Sequence, residues 1–337
     1  MLESVSIVSG VIISLWISYA CRNMDGEIAF RLPFGLQLVS ATILGALIQF
    51  FPYSPRWLAS KDRYEDCLSS LSKLRRLPPT DERVQTEYKG ILAEVKFQNA
   101  MQQRRHPGVT GWKLEYTQWT DLLTRKRWRR TAAGVGVMWF QQLMGVNAFI
   151  YYAPTLFRDI GQGDEMSLVL SGVFNCLQLV GVAIAFAIID SVGRRPLAFW
   201  GAVGNMCCYT IIAALVGTYV GRWEDNTDAG WAAVGFAFLF ITIFGATYSP
   251  LGWALPPEVF PNSIRSKGVA LSVATNWLAN FLVGIITPPM FEGIGFGTYV
   301  FYACWCGLGA VWAYFLVPEV SFANLYYCLL GSVVADF

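Results

Sequence analysis

A chain of 337 residues that is 55% hydrophobic, 15% aromatic and only 14% charged does not have the composition of a large soluble core. Its eight cysteines form no CxxC pair and it holds one histidine, His106, which argues against a zinc site or a disulfide framework. A formal net charge of +2 gives no reason to expect a nucleic-acid partner. A polytopic membrane protein is the class that remains.

Apolar stretches of spanning length occur near 4–20, 33–52, 132–153, 167–189, 198–220, 231–256, 269–288 and 299–317. Each approaches the ~20 residues that cross a bilayer, so eight spans are predicted. The second and third enclose a long polar loop, and 17 of the 25 Lys and Arg lie in it, between Arg56 and Arg130. Basic residues collect on the cytoplasmic side, which puts this loop inside. Alternation then places Arg194-Arg195 and Arg265/Lys267 inside as well, and the segments near 158–165 and 222–228 outside. Within the loop, 63–77 and 81–101 read as amphipathic helices, with Leu68, Leu71 and Leu74 at helical spacing. Pro78-Pro79 separates them, and Pro107-Gly108 ends the helical region.

The third span carries the most chemistry. Gln141, Gln142, Asn147, Tyr151 and Tyr152 put three carboxamides and two phenols where each unpaired polar group costs several kcal/mol. On an ideal helix Gln141, Gly145 and Tyr152 share one face, while Asn147 and Tyr151 lie on the other side. Either protein surrounds this helix on most sides, or it breaks near Gly145 and turns Asn147 into the same cavity, as interrupted helices do in transporters. Inter-helix amide bonding as structural glue is the competing explanation for any single residue. As a group, neutral donors and acceptors facing an interior suit a neutral, hydroxyl-rich solute.

Later spans supply matching groups. Asn175 and Gln178 share a face of the fourth, and Asn276 and Asn280 a face of the seventh, beside Trp277. In the sixth, Gly245, Pro250, Gly252 and Pro256-Pro257 bracket Tyr248 and Trp253, so that span must kink. Trp253 offers a flat apolar face with an N–H edge, suited to the C–H face of a sugar ring. No Asp or Glu lies within the predicted spans; Asp190 and Glu258 stand at cytoplasmic ends, so no intramembrane ion relay can be named.

These residues occur in an ordered set that resembles the sugar porters of the major facilitator superfamily, in their fungal hexose and quinate permease-like branch. The set runs from Arg31-Leu32-Pro33 and Ser54-Pro55-Arg56-Trp57-Leu58 through Arg129-Arg130 to the Gln141–Tyr152 run. It continues with Asp190-x-x-Gly193-Arg194-Arg195, then Trp253-Ala254-x-Pro256-x-Glu258-x-x-Pro261 with Arg265-x-Lys267, and Asn276-Trp277-x-x-Asn280. The resemblance implies sugar contacts at Gln141, Gln142, Asn147, Tyr152, Asn175, Trp253, Asn276 and Asn280. It also implies a cytoplasmic gate at Asp190, Gly193, Arg194 and Arg195, with Glu258 and Arg265 as its partners.

Some positions depart from the pattern. Tyr53 stands where an acidic latch partner is usual, Ser4 where a glutamine is, and Ser249 and Gly252 where Gly and Pro are common. The expected fold is all-α, a major facilitator fold lacking about four N-terminal transmembrane helices. Its expected parts are the last two helices of an N-terminal bundle (1–54), a cytoplasmic helical loop (55–131), a six-helix bundle (132–319) and a divergent tail (320–337). The expected function is alternating-access transport of a hexose-like sugar, proton-coupled in the intact protein. A transport-inactive sugar sensor or a non-functional truncated product is the alternative. No enzymatic activity, cofactor or metal is implied. The expected partners are a small sugar and the lipid bilayer of the plasma membrane, with the oligomeric state left open.

Overall fold

In hydrocarbon a chain can satisfy its backbone groups only as helices or closed barrels. The computed structural model takes the first route, with 14 helices and no strand among the described residues. It describes residues 2–318 apart from Asn23, Asp25, Thr110, Lys126, Ile160, Glu224, Asn262 and Ser263, with Asp159 described in its backbone alone. Glu319 and the tail expected at 320–337 lie outside the described residues. The chain divides into two compact units. One comprises the described residues of Met1–Tyr19 and Trp119–Phe337, the other Ala20–Gln118.

The smaller unit holds α2 (Ile28–Ile48), none of whose residues is buried, and the loop helices α3 (Pro55–Ser60), α4 (Tyr64–Arg75) and α5 (Glu82–Arg105). Pro55 opens α3 at a position where a missing N–H costs nothing. Asp81 caps α5 by accepting the Arg83 backbone N–H at 2.9 Å. The loop helices share a small core of Leu58, Ala59, Cys67, Leu71, Val84 and Ile91. The buried stripe of α4 thus runs through Cys67 and Leu71, while Leu74 is 50% exposed, a rotation from the Leu68–Leu71–Leu74 stripe predicted. Arg75 donates to both Glu87 oxygens at 2.8 and 2.9 Å, tying α4 to α5 and holding the Glu87 carboxyl below its usual range. The helical region does not end at Pro107-Gly108. Gly108 and Gly111, with φ of +74° and +64°, turn the chain into a further helix, α6 (Gly111–Asp121).

The larger unit contains α1 (Leu2–Cys21) as far as Tyr19, α7 (Trp128–Leu143), α8 (Val146–Asp159), α9 (Asp164–Val192) and α10 (Arg194–Tyr219). It continues with α11 (Thr227–Ala246), α12 (Tyr248–Val259), α13 (Arg265–Ile294) and α14 (Gly297–Leu316). Counting α11–α12 as one, seven helical segments among the described residues are long and apolar enough to cross a membrane. The third predicted span is the exception. Its residues form α7 and α8, of 16 and 14 residues, joined at Met144-Gly145. Gly145 has φ +80°, which glycine adopts freely and other residues do not, and its N–H bonds the Gln142 carbonyl three residues back. α13 outruns its predicted span and carries Glu292 in its last turn, so the absence of acids holds for the predicted boundaries and not for the whole helix.

The α11–α12 break falls at Thr247 (φ −122°, ψ −80°). Pro250 lacks an N–H and its ring clashes with the carbonyl four residues back, that of Ala246, so the break precedes the proline by one turn. Helices α9 and α11 pack backbone to backbone: a Cβ on Gly181 would stand 2.5 Å from the Thr242 carbonyl oxygen, and one on Gly245 2.6 Å from that of Gln178. Small residues at such crossings bring the dispersion contacts that hold helices together where water provides no driving force. Around them Phe149, Phe174, Tyr209 and Phe240 form one aromatic cluster, with centroids 4.6 to 5.9 Å apart.

Candidate solute site and gate

The break at Gly145 decides the geometry of the polar run. It rotates α8 so that the Asn147 amide donates to Gln142 Oε1, although a continuous helix would send the two side chains in different directions. Gln142 Nε2 in turn donates to Asn276 Oδ1 on α13 at 2.9 Å. Three carboxamides from three helices therefore form one chain of hydrogen bonds. Gln142 and Asn276 are buried and Asn147 is half-buried, so the chain runs from the interior toward an accessible surface.

Gln141 points elsewhere. Its Nε2 donates to the carbonyls of Tyr248 and Ser249 at 2.9 and 3.2 Å, groups of the first turn of α12. Its Oε1 is buried and takes no hydrogen bond from the described residues. The side chain lies flat on Gly252, where a Cβ would stand 2.5 Å from Oε1. The amide of one broken helix thus braces the break in the other, with an acceptor left over.

The remaining expected residues divide. Tyr152 donates its hydroxyl to the Gly284 carbonyl at 2.9 Å, and Tyr151, half-exposed, to Asn280 Oδ1 at 3.1 Å. Both bonds join α8 to α13, so Asn280 belongs to the same surface as Asn276. Trp253 is half-buried against the main core. Asn175 is not brought into the amide chain: it is fully buried and its Nδ2 donates to Ser171 on its own helix at 2.8 Å, while its Oδ1 accepts nothing from the described residues. Trp277, beside Asn276 in sequence, is 61% exposed.

At the other end of the bundle the charges assemble. Gly193, with φ +88°, joins α9 directly to α10, a turn that only glycine makes without strain. It positions Arg194 to donate Nε–H and Nη2–H to the two Glu258 oxygens at 3.1 and 3.0 Å, a bidentate pair of the strong kind. A further Nη1–H reaches the Ile189 carbonyl at 3.2 Å, and Asp190 stands 3.3 Å from the same nitrogen. Arg195 donates to the Tyr314 carbonyl at 2.7 Å and lies over its ring. Arg265 does not join this network; its Nε–H goes to the Phe260 carbonyl at 3.2 Å. The ends of α9, α10, α12 and α14 are thereby tied at one place, with Arg194 as the hub.

Sequence reading overlooked Asn205 on α10, which is fully buried. The available signal was a lone carboxamide in an apolar span, weaker than the same-face pair that marked Asn175 and Gln178.

The spanning helices make this a multi-pass membrane protein, and its fold is that of the major facilitator superfamily. The structure of a proton:xylose symporter, XylE of E. coli, bound to 6-bromo-6-deoxy-D-glucose superimposes with a TM-score of 0.71 at 24% identity, covering 95% of this chain and 64% of that one. Residues 1–327 match the sugar (and other) transporter family, and the chain belongs to it. Among its relatives, a quinate permease of Neurospora africana is 32% identical over 325 residues, 93% of this chain and 58% of the relative. A sugar transporter of Saccharomyces cerevisiae, STL1, is 32% identical over 328 residues, 96% of this chain and 54% of the relative. The chain thus spans little more than half the length of these relatives.

Proposed function

We propose that Gln141, Gln142, Asn147, Tyr152, Trp253, Asn276 and Asn280 form one wall of a binding site for a neutral hexose-like sugar. The transporter they serve works by alternating access in the plasma membrane and is proton-coupled in the intact protein. The observation that carries this reading is the Asn147–Gln142–Asn276 amide chain built across a helix break. Carboxamides donate and accept at once, so sugar hydroxyls can exchange for the bonds these groups make to one another. No Lys, Arg or His occurs between 131 and 157 or beyond Lys267, so this wall offers no cation to a carboxylate solute that loses its hydration. A neutral sugar has no such cost. Asn175, shut within its own helix, is the least suited of the expected contacts. Proton coupling takes its support from the symporter of like fold, since the amide cluster itself contains no acid.

The Asp190, Gly193, Arg194, Arg195 and Glu258 network serves as the gate, holding helix ends together in one of the two states. A solute shifts such an equilibrium only by binding one state better. Breaks at Gly145 and Thr247 allow α8 and α12 to tilt while α7 and α11 stay packed.

The test is tritiated glucose binding to the chain in lipid nanodiscs. Gln142→Ala and Asn276→Ala should each weaken binding about tenfold, the worth of a hydrogen bond of ~1.4 kcal/mol, and quinate should compete less well than unlabelled glucose. Unchanged glucose affinity in both variants would overturn the site.

A further inference from the structure

One face of α10 touches both helix breaks. Gly201 packs under Thr247, where a Cβ would collide with the threonine side chain, and Gly204 lies under Ile243. Two turns beyond Gly201, the Tyr209 hydroxyl reaches the other break, and a Cβ on Gly145 would stand 2.6 Å from it. Asn205 lies midway, four residues from each, so the three share one side of the helix.

The polar groups along this face are unpaired. Asn205 is fully buried, and neither its Nδ2 nor its Oδ1 has a partner among the described residues. The hydroxyls of Tyr209 and Tyr248, both wholly buried, are in the same condition. Tyr302 stacks on Tyr209 at 5.7 Å, but its hydroxyl is already engaged with Thr287 at 2.7 Å. Such a group is costly when left dry, and buried polar groups of native proteins are paired with protein or ordered water in the great majority of cases.

We propose that Asn205 and Tyr209 form an internal water-binding site on α10 beside the helix break at Gly145. Two amide donors, an amide acceptor and a hydroxyl offer the two to four partners a buried water needs. Water here links α10 to the turn at Gly145 through bonds that can rearrange when α8 tilts. The inference concerns α10 and its neighbours alone and stands apart from the identity of any solute.

Two measurements on the full chain in nanodiscs decide it. Synchrotron hydroxyl-radical labelling marks side chains beside bound water even when they are buried. Tyr209 should be modified at least fivefold more than Phe174 and Phe240, which are as deeply buried but in apolar contact; equal protection of all three overturns the site. Asn205→Leu should lower the melting midpoint by several degrees and reduce Tyr209 labelling. A midpoint that holds or rises overturns the site too, because an apolar group would then replace an amide that bonded nothing. If Asn205→Leu does not fold, the labelling comparison in the unaltered chain settles the matter.

Discussion

Gly145 meets two demands at once. Its φ of +80° lies where a side chain costs about 1–2 kcal/mol, and it faces Tyr209 and Tyr302 at distances that leave no room for a Cβ. Gly145→Ala is therefore expected to destabilise by about 2–4 kcal/mol, combining backbone strain with overpacking. Gly252→Ala should cost less, because the atom in its way is the end of the Gln141 side chain, which can swing aside. Melting of the two variants in nanodiscs gives the order directly, and equal midpoints would contradict the argument. At this scale the polar residues themselves were legible, since amides are rare in apolar runs. Their partners were not: Gln141 bonds residues 107 and 108 positions away, and Gln142 one 134 positions away.

Among elements, the contrast between two arginines shows what burial does to an ion pair. Arg75 and Glu87 are exposed over 57% and 38% of their side chains, where such pairs contribute little. Arg194 is only 8% exposed and Glu258 26%. Removing the partner of a buried charge costs about 3–5 kcal/mol. Glu258→Ala should fall at the low end of that range, since Asp190 and the Ile189 carbonyl remain to Arg194. The check is thermal melting of the variant beside Glu87→Ala, which should move the midpoint far less; similar shifts would show that the Arg194 pair is no firmer than a surface one. The spanning helices followed from hydropathy and the kink of the sixth span from its prolines, while the break near Gly145 was one of two arrangements the polar run allowed. α6 escaped because its positive-φ glycines lie directly before it and read as an end. The stripe of α4 was misplaced because leucines were counted and Cys67, as apolar as they are when buried, was not.

For the whole molecule, the charge distribution makes an orientation prediction. With 17 of the 25 Lys and Arg between Arg56 and Arg130, that segment should face the cytoplasm and the turn joining α10 to α11 the opposite side. A glycosylation acceptor inserted between 221 and 226 should be modified in microsomes, and one inserted near 79 should not. The reverse pattern would invert the topology and move the Arg194–Glu258 network to the outer face. The sequence by itself determined the membrane class, most of the spans, a kink in the sixth and the family, because hydropathy, glycine and proline act through local physics; it left open whether the third breaks near Gly145. Only the tertiary structure decided that Asn147 bonds Gln142, that Gln141 braces α12, that Asn175 turns back on its own helix, and that Asn205 stands between the breaks. Those outcomes depend on which carbonyl or amide a neighbouring helix presents within 3 Å or so of each group, and that is settled by packing between segments far apart in the chain.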